Sequence, residues 1–483
     1  MGRAVIRTYV IDPPRRSGFA AAVFSAIFPG LGHLYAGQPR RAIAWAALPV
    51  LLVAAVVVLV LLAVRGELPI SLVAQVANPQ ALIAGLVGNV LLLLYRIAAV
   101  IAAYRVGAST AGPYGDRSMS GGRGASVIAL VAILIVVSLA HIAVARLDLA
   151  AYGTLTALGS GDESPIDDGV AATPGASAAA LPAPAAVWNG SDRINVLLIG
   201  ADHRPGGDEY LTDTMIVASL DPTTKKVAMF SLPRDTADVP LPPSFPAAKS
   251  YPHGVFPRKI NSLYTVARAD RAGFPGGDAQ RGFLALKAAL GQLYGIDIAY
   301  YVAVDFEGFL DVVDALGGVT VDVQVPVRDY HYPSDDGRGR LNLYIPPGIH
   351  HFNGPEALAY ARSRHQTSDF DRAQRQQRIL TAIGRQIDLG SLLVPGRLDA
   401  LMGAVRNSVR TDIPADLFPS LVAAAQGVDF DALTSVVFAP PKYGTVCFPC
   451  GSSGVYLIRP NIPAIRAAVQ AAIGASPPGT AAP

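Results

Sequence analysis

The chain has 483 residues, more than one ordinary domain holds, and its formal net charge at pH 7 is only +3. Hydrophobic residues make up 51% of the chain and charged residues 16%, a balance typical of proteins with membrane spans. The near-neutral charge gives no whole-chain argument for binding nucleic acid, so any basic site must be local.

Three apolar runs in the first 150 residues predict three transmembrane helices. They occupy residues 42–64, 81–104 and 125–145, and each reaches the roughly 20 residues that cross a bilayer. Arg96 lies inside the second run. Packing toward the other spans accounts for this charge, and a functional partner is the alternative.

Within residues 18–41, the segment 18–37 is apolar but is interrupted by Pro29, Gly30 and Gly32, and basic residues flank that segment on both sides. This pattern predicts a re-entrant or interfacial hairpin. A fourth full span is the alternative, and it would reverse the side of the membrane on which the C-terminal part lies.

The arginines of the first loops predict the orientation. The tail, residues 1–17, and the loop 105–124 are rich in arginine, whereas the loop 65–80 contains only Arg65. The positive-inside rule places the tail and the 105–124 loop in the cytoplasm, so everything after about residue 146 is extracytoplasmic. We therefore expect a multi-pass cell-membrane protein.

Composition divides the rest of the chain. Residues 147–190 are rich in Ala, Pro, Gly and Ser and predict a flexible linker, because such a segment cannot bury enough apolar surface to fold. Residues 191–391 predict a mixed α/β domain, 392–475 a C-terminal extension of it, and 476–483 a tail.

Three strand-like segments open the globular part. They are RINVLLIGAD, which ends at Asp202, DTMIVASL, which begins at Asp213, and KVAMFSLPRD, which is closed by Pro233. If they are antiparallel neighbours, Asp202, Asp213 and Arg234 converge at one edge of the sheet. Two carboxylates and an arginine suit a divalent cation and a phosphate, whereas strand-end caps and a surface ion pair are the alternative.

A second polar cluster follows. Lys259, where a helix begins in RKINSLY, would reach a phosphate as a point charge. Arg362 and Arg364 point to the same side if the segment is extended. A helix begins near Asp369, and Asp369, Arg372 and Gln376 share one of its faces. The stretch ALAYARSRHQTSDFDRAQRQQRILTAIGRQ is rich in arginine and contains no glutamate to balance that positive charge. This composition favours an anionic ligand, and a solvated charged face is the alternative.

The only two cysteines, Cys447 and Cys450, form one C-x-x-C pair. One pair cannot complete a tetrahedral zinc site, and no thioredoxin-like pattern surrounds it. The pair predicts a small turn closed by a disulfide, and a redox-active pair is the alternative.

At this point the chain resembles a LytR-CpsA-Psr family domain over roughly residues 191–391. The resemblance rests on six blocks in order, which are NVLLIGAD, TDTMIVASLDP, VAMFSLPRDT, KINSLY, DALGGVTVDV and YARSRH followed by DFDRAQRQQR. One block would be a weak signal, whereas all of them in this order are specific.

The resemblance implies an α/β/α sandwich with a central mixed sheet and an apolar prenyl pocket. It implies transfer of a glycopolymer, such as teichoic acid or arabinogalactan, from a polyprenyl pyrophosphate to peptidoglycan with Mg²⁺ or another divalent cation. The family's metal-side aspartates match Asp202 and Asp213. Its pyrophosphate-binding or catalytic residues match Arg234, Lys259, Arg362, Arg364, Asp369, Arg372 and Gln376.

One position departs from the family pattern. Members commonly have an arginine two residues before the metal-side aspartate, and this chain has Leu211 there. Arg204 would compensate from the preceding loop. The departure keeps two alternatives open: a non-enzymatic envelope protein that binds polyprenyl phosphate or polymer as a sensor or scaffold, and a lipid pyrophosphatase.

Further roles follow as expectations. Asp369 either acts as the base for the acceptor hydroxyl or orients an arginine. The apolar runs FLALKAALGQLYGI and FEGFLDVVDALGG either wall the prenyl pocket or pack as core helices. The expected partners are the lipid-linked polymer, peptidoglycan and membrane lipid, without nucleic acid.

Overall fold

The computed structural model describes residues 16–64, 78–110, 123–159, 188–202, 211–278, 280–333, 339–363, 368–386, 397–450 and 454–474. The described α-helices are α1 Gly18–Ile27, α2 Leu31–Tyr35, α3 Pro39–Val64, α4 Pro79–Thr110, α5 Arg123–Gly159, α6 Pro246–Ser250, α7 Leu263–Ala269, α8 Arg281–Tyr294, α9 Phe306–Ala315, α10 Gly354–Arg362, α11 Asp369–Gln386, α12 Arg397–Ser408, α13 Phe418–Ala425 and α14 Ile462–Ile473. The described strands are β1 Ile194–Asp202, β2 Leu211–Leu220, β3 Val227–Ser231, β4 Val239–Pro240, β5 Val255–Phe256, β6 Tyr300–Asp305, β7 Val319–Val323, β8 Val327–Pro333, β9 Arg340–Ile345, β10 Gly348–Phe352, β11 Val409–Thr411, β12 Thr434–Val437, β13 Gly444–Cys450 and β14 Val455–Pro460.

The chain divides into two compact units, an N-terminal helical unit and a second unit that contains all the described strands. In the first unit, α3, α4 and α5 are long and apolar enough to cross a membrane. They coincide with the three predicted runs and extend beyond them. Arg96 Nη2 donates a hydrogen bond of 2.7 Å to the Ala26 carbonyl, so this arginine packs within the unit, while its buried Nε has no hydrogen bond to a described residue.

The segment predicted as a hairpin, residues 18–41, contains two short helices, α1 and α2, and then enters α3. Gly30, at the N-terminus of α2, has φ +100°, a conformation that favours glycine. A Cβ atom on Gly32 would lie 1.9 Å from the Ala21 carbonyl oxygen, so α1 and α2 approach closely only with glycine there. The re-entrant or interfacial placement stays a prediction.

The predicted linker, 147–190, is corrected at both ends. Helix α5 continues to Gly159, and the folded second unit already includes Trp188. Trp188 is 8% exposed, packs in a cluster with Ile194 and Tyr300, and donates from its indole nitrogen to the Asp192 carbonyl at 2.7 Å. Residues 160–187 lie outside the described part.

A six-stranded mixed sheet forms the centre of the second unit, in the order β11-β6-β1-β2-β3-β12. The pairs β1–β6 and β3–β12 are parallel, and the pairs β1–β2, β2–β3 and β6–β11 are antiparallel. Both outer strands, β11 and β12, come from residues predicted as a C-terminal extension. That extension therefore completes the sheet, and the domain does not end at residue 391.

Helices cover both faces of this sheet. Alternate residues of a strand point to opposite faces, so each strand contributes side chains to both layers. Leu197, Val217 and Tyr301 face a buried cluster with side chains of α7, α8 and α14. Leu198 and Ile216 face a cavity that α9, α10 and α11 close on the other side. The predicted α/β class with a central mixed sheet is confirmed.

The apolar run FLALKAALGQLYGI forms most of α8, which packs in the buried cluster on the face away from the cavity. This run lies outside the lining of the cavity and packs as a core helix, and its part in a prenyl pocket stays a prediction. The run FEGFLDVVDALGG forms α9 and contributes Phe306 and Phe309 to the cavity.

Candidate functional site

The ends of three neighbouring strands meet at one edge of the central sheet, as the sequence predicts. Asp202 in β1 pairs with Leu211 in β2, and Ile216 in β2 pairs with Ser231 in β3, both in antiparallel register. The end of β1, the start of β2 and the end of β3 therefore lie together. Asp202 is the last residue of β1, and its side chain is outside the described part.

Asp213 occupies a β-bulge. Gly200 pairs with Thr214 and Ala201 pairs with Thr212, so Asp213 has no residue opposite it in the ladder. An extra residue of this kind turns neighbouring side chains out of strict alternation. Both Asp213 and Thr214 consequently line the cavity, although consecutive strand residues normally point to opposite faces.

The bulge also depends on a glycine across the ladder. A Cβ atom on Gly200 would lie 2.9 Å from Thr214 Cβ, which is too close for an unshifted strand. Gly200 itself lines the cavity, so its missing side chain lets Thr214 approach and leaves space at the cavity wall.

Two arginines and two aspartates form an alternating cluster at the end of the cavity that Asp213 and Arg372 line, which we call the cavity mouth. Arg234 Nη1 donates to both carboxylate oxygens of Asp213 at 2.8 Å. Arg372 lies 3.9 Å from Asp213 and 3.3 Å from Asp369, and Arg234 Nε lies 3.9 Å from Asp369. Asp213 and Arg234, predicted to converge, are therefore in direct contact, and residues from α11 join them.

The environment keeps Arg234 charged. Burial alone would lower the pKa of Arg234, but the charge and hydrogen bonding of Asp213 and the charges of Asp369 and Asp235 outweigh it and raise that pKa. Its Nε is buried and makes no hydrogen bond with any described residue. The Asp369 Oδ2 atom, 3.9 Å away, is too far for a hydrogen bond with this N–H.

Helix α11 begins at Asp369, where the sequence predicts a helix start. Arg372 and Gln376, one turn apart on the same face, both line the cavity. Arg372 is 5% exposed, and its neighbour Asp369 is its i−3 ion-pair partner. Asp369 lies between two arginines, and both of its expected roles, as base and as orienting residue, stay predictions.

Arg362 is the last residue of α10, so the expectation of an extended segment at this residue is wrong. Its guanidinium lies over the Phe306 ring, 4.3 Å from the centroid, and both side chains line the cavity. Arg364, the predicted companion of Arg362, lies outside the described residues, and so does Arg204.

Lys259 lies beside the cluster but does not line the cavity. Its ammonium is 2.5 Å from Asp235, the residue after Arg234, and its side chain is 35% exposed. Lys259 is therefore held next to the cavity mouth by the loop that follows β3.

The cavity has a volume of about 230 Å³. It is lined by Leu198, Ile199, Gly200, Asp213, Thr214, Ile216, Val302, Val304, Asp305, Phe306, Phe309, Leu358, Ala361, Arg362, Arg372, Gln376, Ile379 and Leu380. Most of this lining is apolar, and its cations are arginines. A cavity of this composition suits an amphiphile with an apolar chain and an anionic head group.

Several lining residues were missed from the sequence. Asp305 ends β6, caps α9 by accepting from the Gly308 N–H at 2.8 Å, and lies beside Ala201 in the parallel register of β1 and β6. Its position follows from a strand pairing between segments about 100 residues apart, which the local pattern does not reveal. Thr214 reaches the cavity only because of the bulge.

The hairpin β13–β14 adjoins the loop after β3. The Cys447 and Cys450 sulfurs are bonded to each other, which agrees with the predicted disulfide-closed turn. The Ile458 N–H donates to the Asp235 carbonyl at 3.0 Å, and the Ala237 N–H donates to the Ile458 carbonyl at 2.9 Å. Tyr456, on the same strand, has its pKa raised by burial and by the charges of Asp235 and Asp369.

The residues at the mouth fit a magnesium ion. Among the described residues, no three His, Cys, Asp or Glu side chains are grouped to hold a metal. Mg²⁺ needs only one or two protein carboxylates, because water and phosphate oxygens complete its octahedron. The carboxylate of Asp213 has lone pairs beyond the two hydrogen bonds from Arg234, so it meets this requirement.

Comparisons with known proteins identify relatives of this domain. The polyisoprenyl-teichoic acid–peptidoglycan teichoic acid transferase TagV of Bacillus subtilis (strain 168) is 32% identical over 223 residues, which are 46% of this chain and 50% of TagV. The transferase TagU of Oceanobacillus iheyensis is 30% identical over 50% of this chain and 65% of its own length. The regulatory protein MsrR of Staphylococcus aureus (strain COL) is 31% identical over 46% of this chain and 57% of MsrR.

The aligned part spans between half and two thirds of these relatives. The crystal structure of B. subtilis TagV matches with a TM-score of 0.45 and 26% identity, covering 59% of this chain and 99% of that chain. The LytR_cpsA_psr family model matches residues 170–439, more than half of the 483 residues. The chain belongs to the LytR_cpsA_psr family.

Proposed function

We propose that this protein is a membrane-anchored transferase that moves a glycopolymer from a polyprenyl pyrophosphate carrier to peptidoglycan. The observation that carries the proposal is an apolar cavity lined by Arg362 and Arg372, with Arg234 bonded to the lining residue Asp213. An apolar chain with a pyrophosphate at one end matches this division of the cavity. The names of TagV and TagU, which are teichoic acid transferases, support the same class of reaction.

The arginines hold the pyrophosphate and stabilise the charge that develops during transfer. An acceptor hydroxyl of peptidoglycan attacks the phosphorus that carries the polymer, a new phosphorus–oxygen bond forms, and polyprenyl phosphate leaves. The catalytic demand is therefore positioning and charge stabilisation, which planar guanidinium groups supply in two-pronged contacts. Arg234, with its buried Nε–H, and Arg372 take the phosphate oxygens, and Gln376 orients them.

The acceptor hydroxyl has to lose a proton during this attack. Asp369 takes it if its carboxylate is released from Arg372 when the pyrophosphate binds, since phosphate oxygens then compete for that guanidinium. Lys259, at its place beside Asp235, adds positive charge at the edge of the mouth.

A magnesium ion would be held by Asp213, with Asp202 as its second carboxylate. When bound, it supplies Lewis-acid stabilisation of the phosphate oxygens. The purified chain should then lose transfer in excess chelator and regain it with Mg²⁺. Full activity in chelator would remove the metal from the proposal.

The three apolar helices anchor the protein, and their flanking arginines favour an extracytoplasmic catalytic unit. Peptidoglycan, the proposed acceptor, lies on that side of the membrane. Labelling of single introduced cysteines from outside intact cells checks the orientation, and labelling only after lysis would overturn it.

The decisive experiment replaces Arg362 by Ala. We expect glycopolymer attachment in cells to fall by about 100-fold, because one charge-stabilising donor in a water-poor site contributes about that much. The measurement is radiolabelled polymer bound to purified peptidoglycan. Arg328→Ala is the matched control, since Arg328 also lies over an aromatic ring, Tyr344 at 5.2 Å, but does not line the cavity.

Attachment by R362A at the wild-type level would contradict the arginine-clamp assignment. A loss that is equal in R328A and R362A would attribute the effect to expression or stability instead.

One observation favours a second candidate, a non-enzymatic envelope protein that binds the same lipid phosphate. Leu211, opposite Asp202 at the start of β2, provides no charge where the family commonly has arginine. Multiple turnovers by purified protein distinguish the transferase from stoichiometric binding without release of polyprenyl phosphate. Release with water as the acceptor would identify a pyrophosphatase.

A further inference from the structure

The end of α10 is held by two neighbouring elements. Ser363 caps this helix in an extended conformation, and its N–H donates to the Ala359 carbonyl at 3.1 Å. Arg362, the residue just before the cap, lies over Phe306 in the cavity wall. The direction in which the chain leaves α10 therefore sets where the Arg362 guanidinium enters the cavity.

The first contact comes from strand β8. The Ser363 hydroxyl donates to Asp329 Oδ2 at 3.1 Å, across 34 residues of sequence. Both side chains are 2% exposed. A buried carboxylate is unfavourable unless hydrogen bonds satisfy it, so this polar pair is a specific link between β8 and the helix end.

The second contact comes from α11. Arg375 Nε donates to the Tyr360 carbonyl at 2.8 Å, and Arg375 Nη2 donates to the Ser363 carbonyl. The last carbonyls of a helix lack partners inside it, and a guanidinium satisfies them while opposing the negative end of the helix dipole. Arg375 is 4% exposed, so the side chain is committed to these contacts.

These contacts connect two arginines of the cavity. Arg375 stands three residues after Arg372 on α11, and Arg372 lines the cavity that Arg362 also lines. Helix α11 therefore supplies Arg372 and, through Arg375, also forms a hydrogen bond with Ser363, the residue that follows Arg362. The spacing between the two guanidinium groups is thus fixed by buried groups that do not themselves line the cavity.

We propose that Asp329 and Arg375 are positioning residues for Arg362, acting through Ser363 and the carbonyl groups at the end of α10. The inference rests on the proposed function, since it deepens the account of the pyrophosphate clamp. General helix capping predicts a loss of stability when these contacts are removed. Positioning predicts, in addition, that the loss of activity depends on Arg362 being present.

The test is a double-mutant cycle with S363A, R362A and the double variant, made in the full chain in detergent micelles. The first readout is affinity for geranyl pyrophosphate, and the second is kcat and KM of glycopolymer transfer. We expect S363A to lower kcat/KM by about 10- to 100-fold, as removal of supporting contacts to an active-site group commonly does. In the R362A background, the same substitution should cause less than about a twofold further loss, because coupled residues are not additive.

Two further sets of variants separate positioning from folding. Asp329→Ala should reproduce the loss seen with S363A, because it removes the acceptor of the Ser363 hydroxyl; it also removes the acceptor of the His331 N–H. Thr381→Ala is the matched control, since the Thr381 hydroxyl donates only within α11, to the Gln377 carbonyl at 2.9 Å. T381A should match the wild type in both readouts.

Equal fold losses from S363A with and without Arg362 would overturn the inference, and so would a D329A variant with wild-type transfer. These outcomes leave the proposed function intact. A wild-type protein that binds geranyl pyrophosphate but does not transfer polymer would overturn the proposed function instead, while the affinity cycle still decides the inference.

Discussion

Two ion pairs in the α/β unit are buried to a similar extent, and they differ in what surrounds them. Lys287 and Asp412 are each 15% exposed, whereas Arg234 and Asp213 are 18% and 16% exposed. Lys287 also donates to the Ala299 carbonyl at 3.0 Å, and Asp412 also accepts from the Tyr301 N–H at 2.7 Å. The Arg234–Asp213 pair instead borders a cavity.

The comparison separates a pair bonded to the surrounding backbone from a pair beside the candidate site. The Lys287–Asp412 pair joins α8 to the segment after β11, and both of its side chains also form hydrogen bonds with the backbone at the start of β6. Arg234 instead contacts the side chains of Asp213, which lines the cavity, and Asp369. Burial and charge alone do not distinguish the two pairs, whereas the cavity that Asp213 lines does.

The largest expected effect on folding comes from Asp412→Ala. Removing one partner of a buried pair leaves the other charge uncompensated, so the free energy of unfolding should fall by about 3–5 kcal/mol. Urea titration of the full chain in micelles measures it. The control Asp431→Ala, which breaks an exposed pair with Arg385, should change stability by only about 0–1 kcal/mol.

Transfer per folded molecule should stay unchanged in D412A. A loss of activity greater than the loss of folded protein would place this pair in the function and remove the distinction between the two pairs.

Arg234→Ala should show the opposite balance. Transfer should fall by about 100- to 1,000-fold, because a donor aimed at developing charge is lost, while Asp213 keeps a cationic neighbour in Arg372. Steady-state kinetics with a defined lipid-pyrophosphate donor measures it. Arg193→Ala is the control, since Arg193 forms a part-buried pair with Asp221 outside the cavity lining.

If R234A unfolds as readily as D412A, the cavity-side pair is structural as well, and the comparison fails. Nearly wild-type kinetics in R234A would show that the Arg234 guanidinium does not contribute to transfer.

The smallest expected effect concerns the apolar wall rather than the charges. Leu380→Gln places an amide in the apolar lining, and an unpaired buried amide costs about 1–3 kcal/mol. Affinity for a long prenyl pyrophosphate should fall about 10-fold, while affinity for inorganic pyrophosphate should not change. Calorimetry with both ligands measures this, with Leu341→Gln on the exposed side of β9 as the control.

Equal losses for both ligands would show that the cavity wall acts on the head group. No loss of affinity for either ligand would exclude the cavity as the binding site of the prenyl chain.

The parts predicted well from the sequence are those set by local periodicity. The alternation in β1 to β3 placed three strand ends together, and helical spacing placed Arg372 and Gln376 on one face. Both patterns depend only on residues near one another in the chain. The apolar run of α8 shows the limit, since periodicity reports a buried face but not which side of the sheet buries it.

Arg362 was placed in an extended segment although a local signal was present. Asn353 and Glu356 form a capping box at the start of α10, with a proline in its first turn. These residues mark a helix start, and nine residues from Gly354 reach Arg362. Asp305 carried no such signal, because it joins the cavity through the pairing of β1 with β6.

The bulge at Asp213 has a consequence for the length of the chain. Strand β2 contains one more residue than its ladder with β1 consumes, and that surplus residue is the carboxylate at the cavity mouth. A variant lacking only residue 213 would have an uninterrupted ladder from Thr212 to Thr214 and a more regular strand. The carboxylate at this edge is therefore present because β2 has one residue more than β1 across this part of their ladder. Deleting that residue would make the pairing regular and would remove the carboxylate.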